Sequence, residues 1–511
     1  MLTRWLTRLR QTWHSKKPPL VCPAVRFSRR TKSPQDWQRV FEQLDIPPPG
    51  PASISIITPL WNTKPRWLAE AAISVFDQTT PGWEWCIIDD GSTSRDFEPV
   101  LGAIQQASPR VRVQRLERNS GIAAASNAGL QLAQGEFVCF LDHDDLLHPE
   151  AIEHCRARLK DCEAVYTDSD KAGEDGVRDE PFLKPDWSPE YFRGVMYVGH
   201  LLCVRREEAL SIGGFDTRFD GVQDFEFFLR YSERFTRIAH IPRILYHWRR
   251  VPGSIAGAID AKDNITTLQQ QAVQNQLDRL RLNADAIEGP GAHRITVVPK
   301  PRITQPSVSI IATGENVPLN YCGASFSWRG ASTPPVQDTP DFLLFLNPDI
   351  EPVTPDWIDQ LLYHAEQPDA GAVGALILNP DQSVHHAGIA LGGPQVVTNI
   401  TTEQSPGSLT HAHECTAVSK ACLMIRRQLF EEVGGFNQHY FHSHFDVDLC
   451  LRLRALGKRN VFTPRAVLIA KSTQQDDPID RNLLLDNWEE TITAGDPFHR
   501  AVHPSVTGPQ V

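Results

Sequence analysis

Three aspartates follow an apolar stretch in the first third of the chain, and their type and spacing suit them to chemistry. The segment FVCFL (137–141) leads directly into Asp142, Asp144 and Asp145. An apolar run of this length indicates a buried strand, so the acids lie at its carboxyl end. Ligands bind at that edge of open α/β sheets, and Asp142 and Asp144 can direct oxygen atoms toward one hard cation. The simpler interpretation is that these aspartates only hold a turn or cap a helix.

Strands and helices are predicted to alternate from Ser53 to these acids, and Pro149 favours the first turn of the helix that follows them. The predicted strands are 54–58, 83–88 and 111–116, and the predicted helices are 67–76, 97–106 and 122–132. This alternation predicts a parallel sheet covered by helices on both faces. Polar residues follow the second strand (DDGS, 89–92) and the third strand (RNSG, 118–121). Three polar loops at one sheet edge predict a pocket.

The overall charge argues against a nucleic-acid partner. The 511 residues carry a formal net charge of −11, whereas a nucleic-acid-binding protein needs a basic face. The amino-terminal region differs, because residues 1–39 contain ten Lys or Arg residues and one acid, Asp36. Apolar residues at positions 2, 5, 6, 9 and 13 predict a short amphipathic helix there. Such a helix either lies on an anionic membrane surface or packs on the protein body.

No stretch is apolar enough to span a bilayer, and the amino terminus lacks the apolar core of a secretory signal. We therefore expect a cytoplasmic protein with peripheral contact to the inner face of the cell membrane. The ten cysteines are scattered without a Cys-x-x-Cys pair, which predicts neither a zinc site nor a disulfide framework.

Six motifs, in order, resemble the family-2 inverting glycosyltransferases, whose GT-A fold is a Rossmann-like α/β fold for nucleotide-diphospho-sugars. They are SIITPLWN (55–62), SVFDQT, WEWCIIDDGS, RNSGIAAASNAG, GEFVCFLDHDD and GGFD…VQDFEFFLR, and the resemblance covers residues 53 to about 255. The segments YTDSDK (166–171), FLKPDWSPEYF (182–192) and ILYHWRRVPGS (244–254) are similar to the branch that builds bacterial surface polysaccharides, including rhamnosyltransferases. The resemblance implies metal-dependent, inverting transfer from a UDP- or dTDP-sugar to a growing cell-surface polysaccharide or lipid-linked glycan.

The resemblance also implies roles for individual residues. Asp144 is the expected metal ligand, Asp142 binds metal or ribose, and His247 completes the metal shell or contacts phosphate. Oxygen ligands favour Mg²⁺ or Mn²⁺. Asp224 is the expected general base, although a carboxylate in the first turn of a helix is also favoured by the helix dipole. The expected nucleotide-binding residues are Pro59, Asn62, Asp89, Asp90, Asn119, Gly121, Asn127 and Asp142, with Asp89 or Asp90 recognising the base and Gly121 letting backbone N–H groups face an anion.

The second half of the chain repeats parts of the first. PSVSII (306–311), FLNPD (345–349) and GGFN…FDVDLCLR (434–452) echo ASISII, FLDHD and GGFD…QDFEFFLR. The repeat is incomplete, because Ser53 and Asp144 are 91 residues apart whereas Ser307 and Asp349 are 42 apart. Asn347 replaces Asp142, and VLIAKST has an alanine at 470 where related second domains often carry a histidine, although Asp349 and Asp446 are kept. We therefore expect a truncated GT-A-like second domain that does not bind a donor.

These patterns predict five regions in the chain. They are a basic arm (1–52), a catalytic domain (53–255), a helical connector (256–305), the truncated second domain (306–475) and a carboxyl-terminal tail (476–511). Two other functions were weighed. A nucleotide-dependent oxidoreductase would need a Gly-x-Gly-x-x-Gly motif after its first strand, and TPLWNT (58–63) has none. A non-catalytic glycan-binding or scaffold protein built from two decayed domains would not need the acids of the first domain.

Overall fold

A computed structural model describes residues 34–42, 44, 46, 52–173, 177–250, 264–302, 304, 306–312, 340–392, 396–402, 408–471 and 478–499. The predicted amphipathic helix near the amino terminus lies outside these residues. The chain divides into two compact units. The first contains residues 1–182, 200–223 and 241–261, and the second contains residues 183–199, 224–240 and 262–511. No helix in the described ranges is long and apolar enough to cross a membrane.

Helices and strands alternate from β1 to β4 in the first unit, whereas the second unit also contains runs of consecutive strands. The helices are α1 (Pro34–Phe41), α2 (Pro65–Phe76), α3 (Glu98–Ala107), α4 (Ile122–Leu132), α5 (Ala151–Arg158), α6 (Pro189–Gly194), α7 (Arg206–Ser211), α8 (Gln223–Arg234), α9 (Ile265–Arg279), α10 (Trp357–Ala365), α11 (Arg427–Glu432), α12 (Phe445–Ala455) and α13 (Pro478–Ala494). The first eleven strands are β1 (Ile54–Leu60), β2 (Trp83–Asp89), β3 (Val111–Arg115), β4 (Phe137–Phe140), β5 (Leu146–Leu147), β6 (Ala164–Ala172), β7 (Arg178–Phe182), β8 (Leu202–Arg205), β9 (Ile238–Arg249), β10 (Ala284–Glu288) and β11 (Ile295–Pro299). The remaining strands are β12 (Val308–Ala312), β13 (Phe342–Leu346), β14 (Ile350–Pro352), β15 (Ala370–Leu378), β16 (Val384–His386), β17 (Ile389–Leu391), β18 (Val397–Asn399), β19 (His413–Cys415), β20 (Cys422–Arg426) and β21 (Arg459–Ala470).

The first unit is built on one sheet with the strand order β3-β2-β1-β4-β8-β6-β9-β5. Strands β1 to β4 are parallel, and β1 and β2 are almost fully buried, as their apolar sequences predict. The predicted α/β class is confirmed, and the four strands for which the sequence predicts a parallel sheet are parallel. The sheet continues with strands that the sequence analysis did not predict. Strand β8 runs antiparallel to β4 and to β6, and β5 runs antiparallel to β9. The helix after the acids begins at Ala151, so Pro149 lies just outside it.

The second unit repeats the central part of this topology. Its sheet has the order β12-β13-β20-β15-β21-β14, which matches β1-β4-β8-β6-β9-β5 strand for strand. The directions agree as well, because β12 and β13 are parallel while β20 is antiparallel to both β13 and β15. Within the described ranges, this sheet has no counterpart of β2 and β3. In the first unit, β2 and β3 form the edge of the sheet beside β1. The shorter separation between Ser307 and Asp349 therefore corresponds to the equivalent edge of the second sheet, beside β12.

The segment 183–199 groups with the second unit, although it precedes the motifs of that unit by more than a hundred residues. Its helix α6 contributes Glu190 and Arg193, which are both buried and lie 2.7 Å apart. The Ser188 hydroxyl donates to the buried Glu414 carboxylate, which also pairs with Arg459. The unit thus contains a buried polar network made from residues far apart in sequence.

Candidate active site

The acidic loop predicted from FLDHDD lies where β4 ends, beside β1 in the sheet. The Asp142 and Asp144 side chains are partly exposed, at 37% and 18% of their area. The side chain of His143, the residue between them, contacts Thr63, and its Nδ1 atom is 3.0 Å from the Thr63 hydroxyl. The loop therefore presents two carboxylates of alternate residues to solvent at the carboxyl edge of the parallel strands.

The third acid, Asp145, fixes this loop to strand β9. It is buried, its Oδ2 atom accepts a hydrogen bond from the Tyr246 hydroxyl at 2.6 Å, and its Oδ1 atom accepts one from the Arg249 backbone N–H at 2.7 Å. The Arg249 Nε atom in turn donates to the Asp144 backbone carbonyl at 2.6 Å. Asp145 was not among the predicted site residues. The signal for it was present, since it directly follows Asp144 in the motif.

Negative charge is concentrated in this loop. Partial desolvation by the surrounding protein and the neighbouring Asp144 carboxylate raise the pKa of Asp142 to about 6. Burial, Asp142 and Asp144 also raise the pKa of Asp145 well above its ordinary value. A divalent cation would relieve this repulsion, and its preferred ligands are carboxylate oxygens. Asp142 and Asp144 therefore offer carboxylate oxygens of the kind that Mg²⁺ or Mn²⁺ prefers. In the described part of the chain, no group of three or more His, Cys, Asp or Glu side chains is placed to hold a metal.

His247 lies on β9 next to Tyr246, and adjacent strand residues point to opposite sheet faces. Its Nδ1 atom is 2.6 Å from Asp170 Oδ1, and its Nε2 atom is 3.4 Å from a guanidinium nitrogen of Arg178. The side chain is buried. The structure holds His247 against Asp170 and does not bring it into one group with Asp142 and Asp144.

A different histidine approaches the acidic loop. The His200 Nε2 atom is 3.5 Å from Asp142 Oδ2, and the His200 ring stacks on Tyr246 with centroids 5.1 Å apart. Trp248, which is 38% exposed, lies on the other side with its ring 6.3 Å from that of His200. The sequence prediction missed His200, because its contact with Asp142 joins residues 58 positions apart and follows no periodicity.

Two predicted nucleotide-binding residues connect the loops after β1 and β2. The Asn62 side-chain oxygen accepts hydrogen bonds from the backbone N–H groups of Thr93 and Ser94, both at 2.9 Å. The buried Asp89 carboxylate accepts from the Ser92 N–H at 2.9 Å and lies 3.0 Å from Arg115. Both side chains are thus engaged in shaping the loops. Pro59 lies in β1, paired in register with Ile88 of β2.

Asp90 organises the loop after β3. Its two carboxylate oxygens accept hydrogen bonds from the backbone N–H groups of Ser120 at 2.8 Å and Gly121 at 2.9 Å. The exposed Asn119 side chain also accepts from the Gly121 N–H at 3.1 Å. A second acid, Asp220, accepts from the Ala123 N–H at 2.9 Å. The anions at the start of α4 are therefore carboxylates of the protein itself.

Asn127, on α4, also holds a neighbouring loop in place. Its side-chain oxygen accepts from the Phe215 N–H, and its side-chain nitrogen donates to the Phe215 carbonyl, both at 2.8 Å. This pair of bonds fixes the loop 213–215 of the GGFD motif to α4. Asn127 therefore shapes the site through a neighbouring loop.

The predicted base Asp224 is the second residue of α8, and it belongs to the second unit. Its Oδ1 atom accepts a hydrogen bond from the Phe225 N–H at 2.8 Å. The counterpart Asp446 in α12 makes the same contact with the Val447 N–H at 3.0 Å. Both acids thus occupy the first turn of a helix, where the dipole favours a negative charge.

The remaining positions of the repeat differ in the second unit. Ala470 pairs with Ile350 between β21 and β14, as His247 pairs with Leu146 between β9 and β5. The alanine therefore replaces His247 in three dimensions as well as in the sequence. Asp349 is exposed, and its N–H contacts the Asn347 side chain at 3.2 Å. The second unit thus keeps one acid of the loop and lacks the histidine.

Parts of the chain are similar to known proteins. Residues 55–204 match the model of Glycosyl transferase family 2. A protein named y4gI of Sinorhizobium fredii is 30% identical over 81% of this chain and 52% of its own length, and the O-antigen biosynthesis protein RfbC of Myxococcus xanthus is 32% identical over 81% of this chain and 37% of its own. An N-acetylglucosaminyl-diphospho-decaprenol L-rhamnosyltransferase of Mycobacterium tuberculosis is 32% identical over 34% of this chain and 62% of its own.

The chain spans about half or less of the length of the first two relatives. The matched residues 55–204 contain the strands β1 to β4 and the acidic loop. Residues 55–204 are therefore a domain similar to the glycosyltransferase family 2.

Proposed function

We propose that the family-2 domain transfers a sugar from a nucleotide-sugar donor, a UDP- or dTDP-sugar, to a growing cell-surface polysaccharide or lipid-linked glycan. The observation that carries the proposal is the acidic loop, with Asp142 and Asp144 at the carboxyl edge of the parallel strands inside the matched residues. The similarity to an O-antigen biosynthesis protein supports the polysaccharide acceptor.

Asp142 and Asp144 would hold a Mg²⁺ or Mn²⁺ ion together with the donor diphosphate. When bound, the ion would neutralise the charge that develops on the departing diphosphate. Asp145 keeps the loop in place through Tyr246 and Arg249, because its carboxylate is already hydrogen-bonded to both. His247 acts at most indirectly in this scheme, through the strand that it shares with Tyr246.

The nucleotide would lie against the loops that Asn62, Asp89, Asp90 and Asn127 hold in place. Their side chains are engaged with backbone groups, so they contribute the shape of the pocket. Asn119 is exposed and remains available to contact the ligand.

Asp224 is the proposed general base. It would take the proton of the acceptor hydroxyl while that oxygen forms a bond to the anomeric carbon. The bond from this carbon to the diphosphate oxygen breaks at the same time, and the diphosphate leaves with the electron pair. Attack from the face opposite the leaving group inverts the anomeric configuration.

The acidic loop can be tested with matched variants of equivalent positions. Asp144→Ala should abolish sugar transfer and remove the Mn²⁺ dependence of UDP or dTDP binding, measured by thermal shift. Asp349→Ala, at the equivalent position of the second unit, should change neither. Mn²⁺-dependent nucleotide binding that persists in Asp144→Ala would contradict the proposed metal site.

The second unit is proposed to be folded without binding a donor, and to support the first domain or hold acceptor glycan. This proposal is supported by Ala470 in the place of His247 and by the shortened sheet edge. Replacing Asp349 and Asp446 together with asparagine should leave transfer by the first domain unchanged. A folded double variant that lost a second, distinguishable sugar transfer would show that the chain has two active domains.

The basic residues 1–39 support a further part of the proposal, which is peripheral contact with the inner face of the cell membrane. Attraction to anionic lipids amounts to about 1 kcal/mol for each Lys or Arg near the surface. Deleting residues 1–30 should reduce cosedimentation with anionic vesicles and leave transfer to a water-soluble acceptor intact. Equal sedimentation of both forms would contradict the membrane contact.

A further inference from the structure

A cavity of about 250 Å³ lies in the second unit, away from the acidic loop. It is bounded by the turn after α9, the residues after β11 and the carboxyl end of α10. Its charged and polar lining consists of Arg281, Asn283, Lys300, Arg302, Tyr363, Glu366 and Gln367. Pockets that enclose a whole small molecule typically measure about 300–1,000 Å³, so this one suits a single charged group and part of its carrier.

The lining has an excess of positive charge. Three of its residues are cationic, namely Arg281, Lys300 and Arg302, and one is acidic, Glu366. Glu366 is paired with Arg302 at 2.6 Å. Outside the lining, Asp359 lies 3.3 Å from Arg302 and Asp285 lies 2.8 Å from Lys300, so both of these cations are paired. Arg281 is exposed and has no carboxylate partner among the residues that the structure describes. The cavity therefore favours an anion.

Two buried polar side chains in the cavity wall point to the same conclusion. Tyr363 and Gln367 are 6% and 8% exposed. The Tyr363 hydroxyl and the Gln367 side-chain nitrogen have no hydrogen-bond partner in the described ranges. The Gln367 oxygen accepts a hydrogen bond from Arg459 at 2.9 Å, so the amide is oriented with its nitrogen left over. Buried donors without partners are rare, because leaving one unpaired is costly. A ligand oxygen would supply the missing acceptor.

The negative end of a helix dipole repels an anion, but at the carboxyl end of α10 this repulsion is reduced. The side chain of Arg426 donates to the backbone carbonyls of Ala365 at 3.4 Å and Glu366 at 3.2 Å. These carbonyls carry the negative end of the helix dipole. A guanidinium bonded to them offsets that charge.

We propose that this cavity binds a phosphoryl group. Its donors come from three separate segments of the chain, which suits the oxygens of a tetrahedral group better than the two coplanar oxygens of a carboxylate. The group has three possible sources, which are free phosphate, a phosphorylated sugar or glycan, and a lipid head group. All three present the same phosphoryl oxygens to the cavity.

Tyr363→Phe is the sharpest test, because it removes only the unpartnered hydroxyl and keeps the buried ring. The full chain carrying this change should unfold at the same temperature as the wild type, or higher, when phosphate is absent. Its affinity for inorganic phosphate, measured by calorimetry at constant ionic strength, should fall about tenfold, since one hydrogen bond to a charged group is lost. An unchanged affinity would overturn the proposal.

The charge requirement is tested by Arg281→Gln, with Arg158→Gln on α5 of the first unit as the control for a lost surface charge. Arg281→Gln should weaken phosphate binding by about tenfold or more, and Arg158→Gln should leave it unchanged. Equal weakening in both variants would show that phosphate responds to the overall charge and not to this cavity, which would also overturn the proposal.

Different probes identify the source of the phosphoryl group. If glucose 6-phosphate binds more tightly than inorganic phosphate and Tyr363→Phe removes the difference, the natural ligand is a phosphorylated sugar or glycan. If Arg281→Gln reduces sedimentation with phosphatidic acid vesicles but not with phosphatidylcholine vesicles, the ligand is a lipid head group. Glucuronate that binds as tightly as glucose 6-phosphate would refute the assignment to phosphoryl.

Discussion

Asp220 lies so close to Gly121 that a β-carbon added at residue 121 would be 1.8 Å from the Asp220 Oδ2 atom. Gly121 also has a φ of +92°, a conformation that side chains with a β-carbon rarely adopt. Asp220 stands four residues before the proposed base Asp224. The loop next to the proposed nucleotide site and the loop that leads to the base are therefore fixed to each other at this contact.

We expect Gly121→Ala to displace Asp220 and to weaken both nucleotide binding and transfer. The backbone conformation alone (φ +92°, ψ 160°), which is essentially restricted to glycine, costs about 1–3 kcal/mol of stability with a β-carbon present, and the contact with Asp220 adds to that. Thermal unfolding and UDP binding measure the two effects. Gly102→Ala on α3 is the control, because an added β-carbon there meets no atom within 4 Å, and a helical Gly→Ala change stabilises by about 0.5–1 kcal/mol. If Gly121→Ala and Gly102→Ala had the same unfolding temperature and the same UDP affinity, the role assigned to the contact with Asp220 would be contradicted.

Asp224→Asn should reduce turnover by a factor of ~10² to 10⁴ while donor affinity stays within about twofold of the wild type. Asparagine can still accept the hydrogen bond from the Phe225 N–H, so the start of α8 is preserved. Steady-state kinetics and nucleotide binding on the same preparation separate the two quantities. A parallel loss of donor binding would assign Asp224 to the donor site or to the fold.

The contribution of His386 to the free energy of unfolding should fall as the pH is lowered from about 6.5 toward 4. Burial lowers the pKa of His386 to about 4, and its Nε2 atom accepts hydrogen bonds from the N–H groups of Gly388 and Ser419, both at 3.3 Å. The unfolded chain takes up a proton at a pKa near 6.5, so below that pH the unfolded state binds a proton that the folded state does not. Stability from this residue is complete above pH 6.5 and decreases below it.

Urea unfolding at pH 7.5, 6 and 5 measures this effect. His386→Gln should show a flatter dependence on pH than the wild type, whereas His439→Gln, at an exposed position, should follow the wild type. The raised pKa of Asp145 has the opposite sign and is common to all three proteins, so it cancels in the comparison. Identical slopes in the three proteins would contradict the assignment to His386.

Arg459 pairs with three acids, Glu190, Asp369 and Glu414, and removing Glu414 or Asp369 should have unequal consequences. Glu414 is buried, whereas the Asp369 side chain is 56% exposed and lies 2.6 Å from Arg459. Glu414→Ala removes the buried partner of both Arg459 and Ser188, and breaking such a buried pair should cost about 3–5 kcal/mol of unfolding free energy. Asp369→Ala should cost less than about 1 kcal/mol. Chemical unfolding of the two variants checks this ranking, and equal costs would show that burial does not determine it.

The elements that could be predicted were those that leave a pattern in a short stretch of sequence. The apolar runs of β1, β2 and β4 fixed their strands, and the acids that follow β4 lie at the predicted sheet edge. The antiparallel strand β5 has two residues, too few to leave a pattern in the sequence. Asp220 and His200 depend on contacts between distant segments, which no periodicity reports. The face on which His247 lies depends on such a contact too, because Tyr246 bonds to Asp145 and consecutive residues of a strand point to opposite faces.

The segment around α6 limits how this chain can be divided. Ser188 and Glu414 are hydrogen-bonded although 226 residues separate them, and Arg193 contacts Gln276 at 3.1 Å. A gene fragment that started at the apparent repeat boundary near residue 256 would encode Glu414 and Arg459 without their buried neighbours. The two repeats are therefore not interchangeable modules, and recombination between related genes would keep the second unit intact only when it carried α6 along.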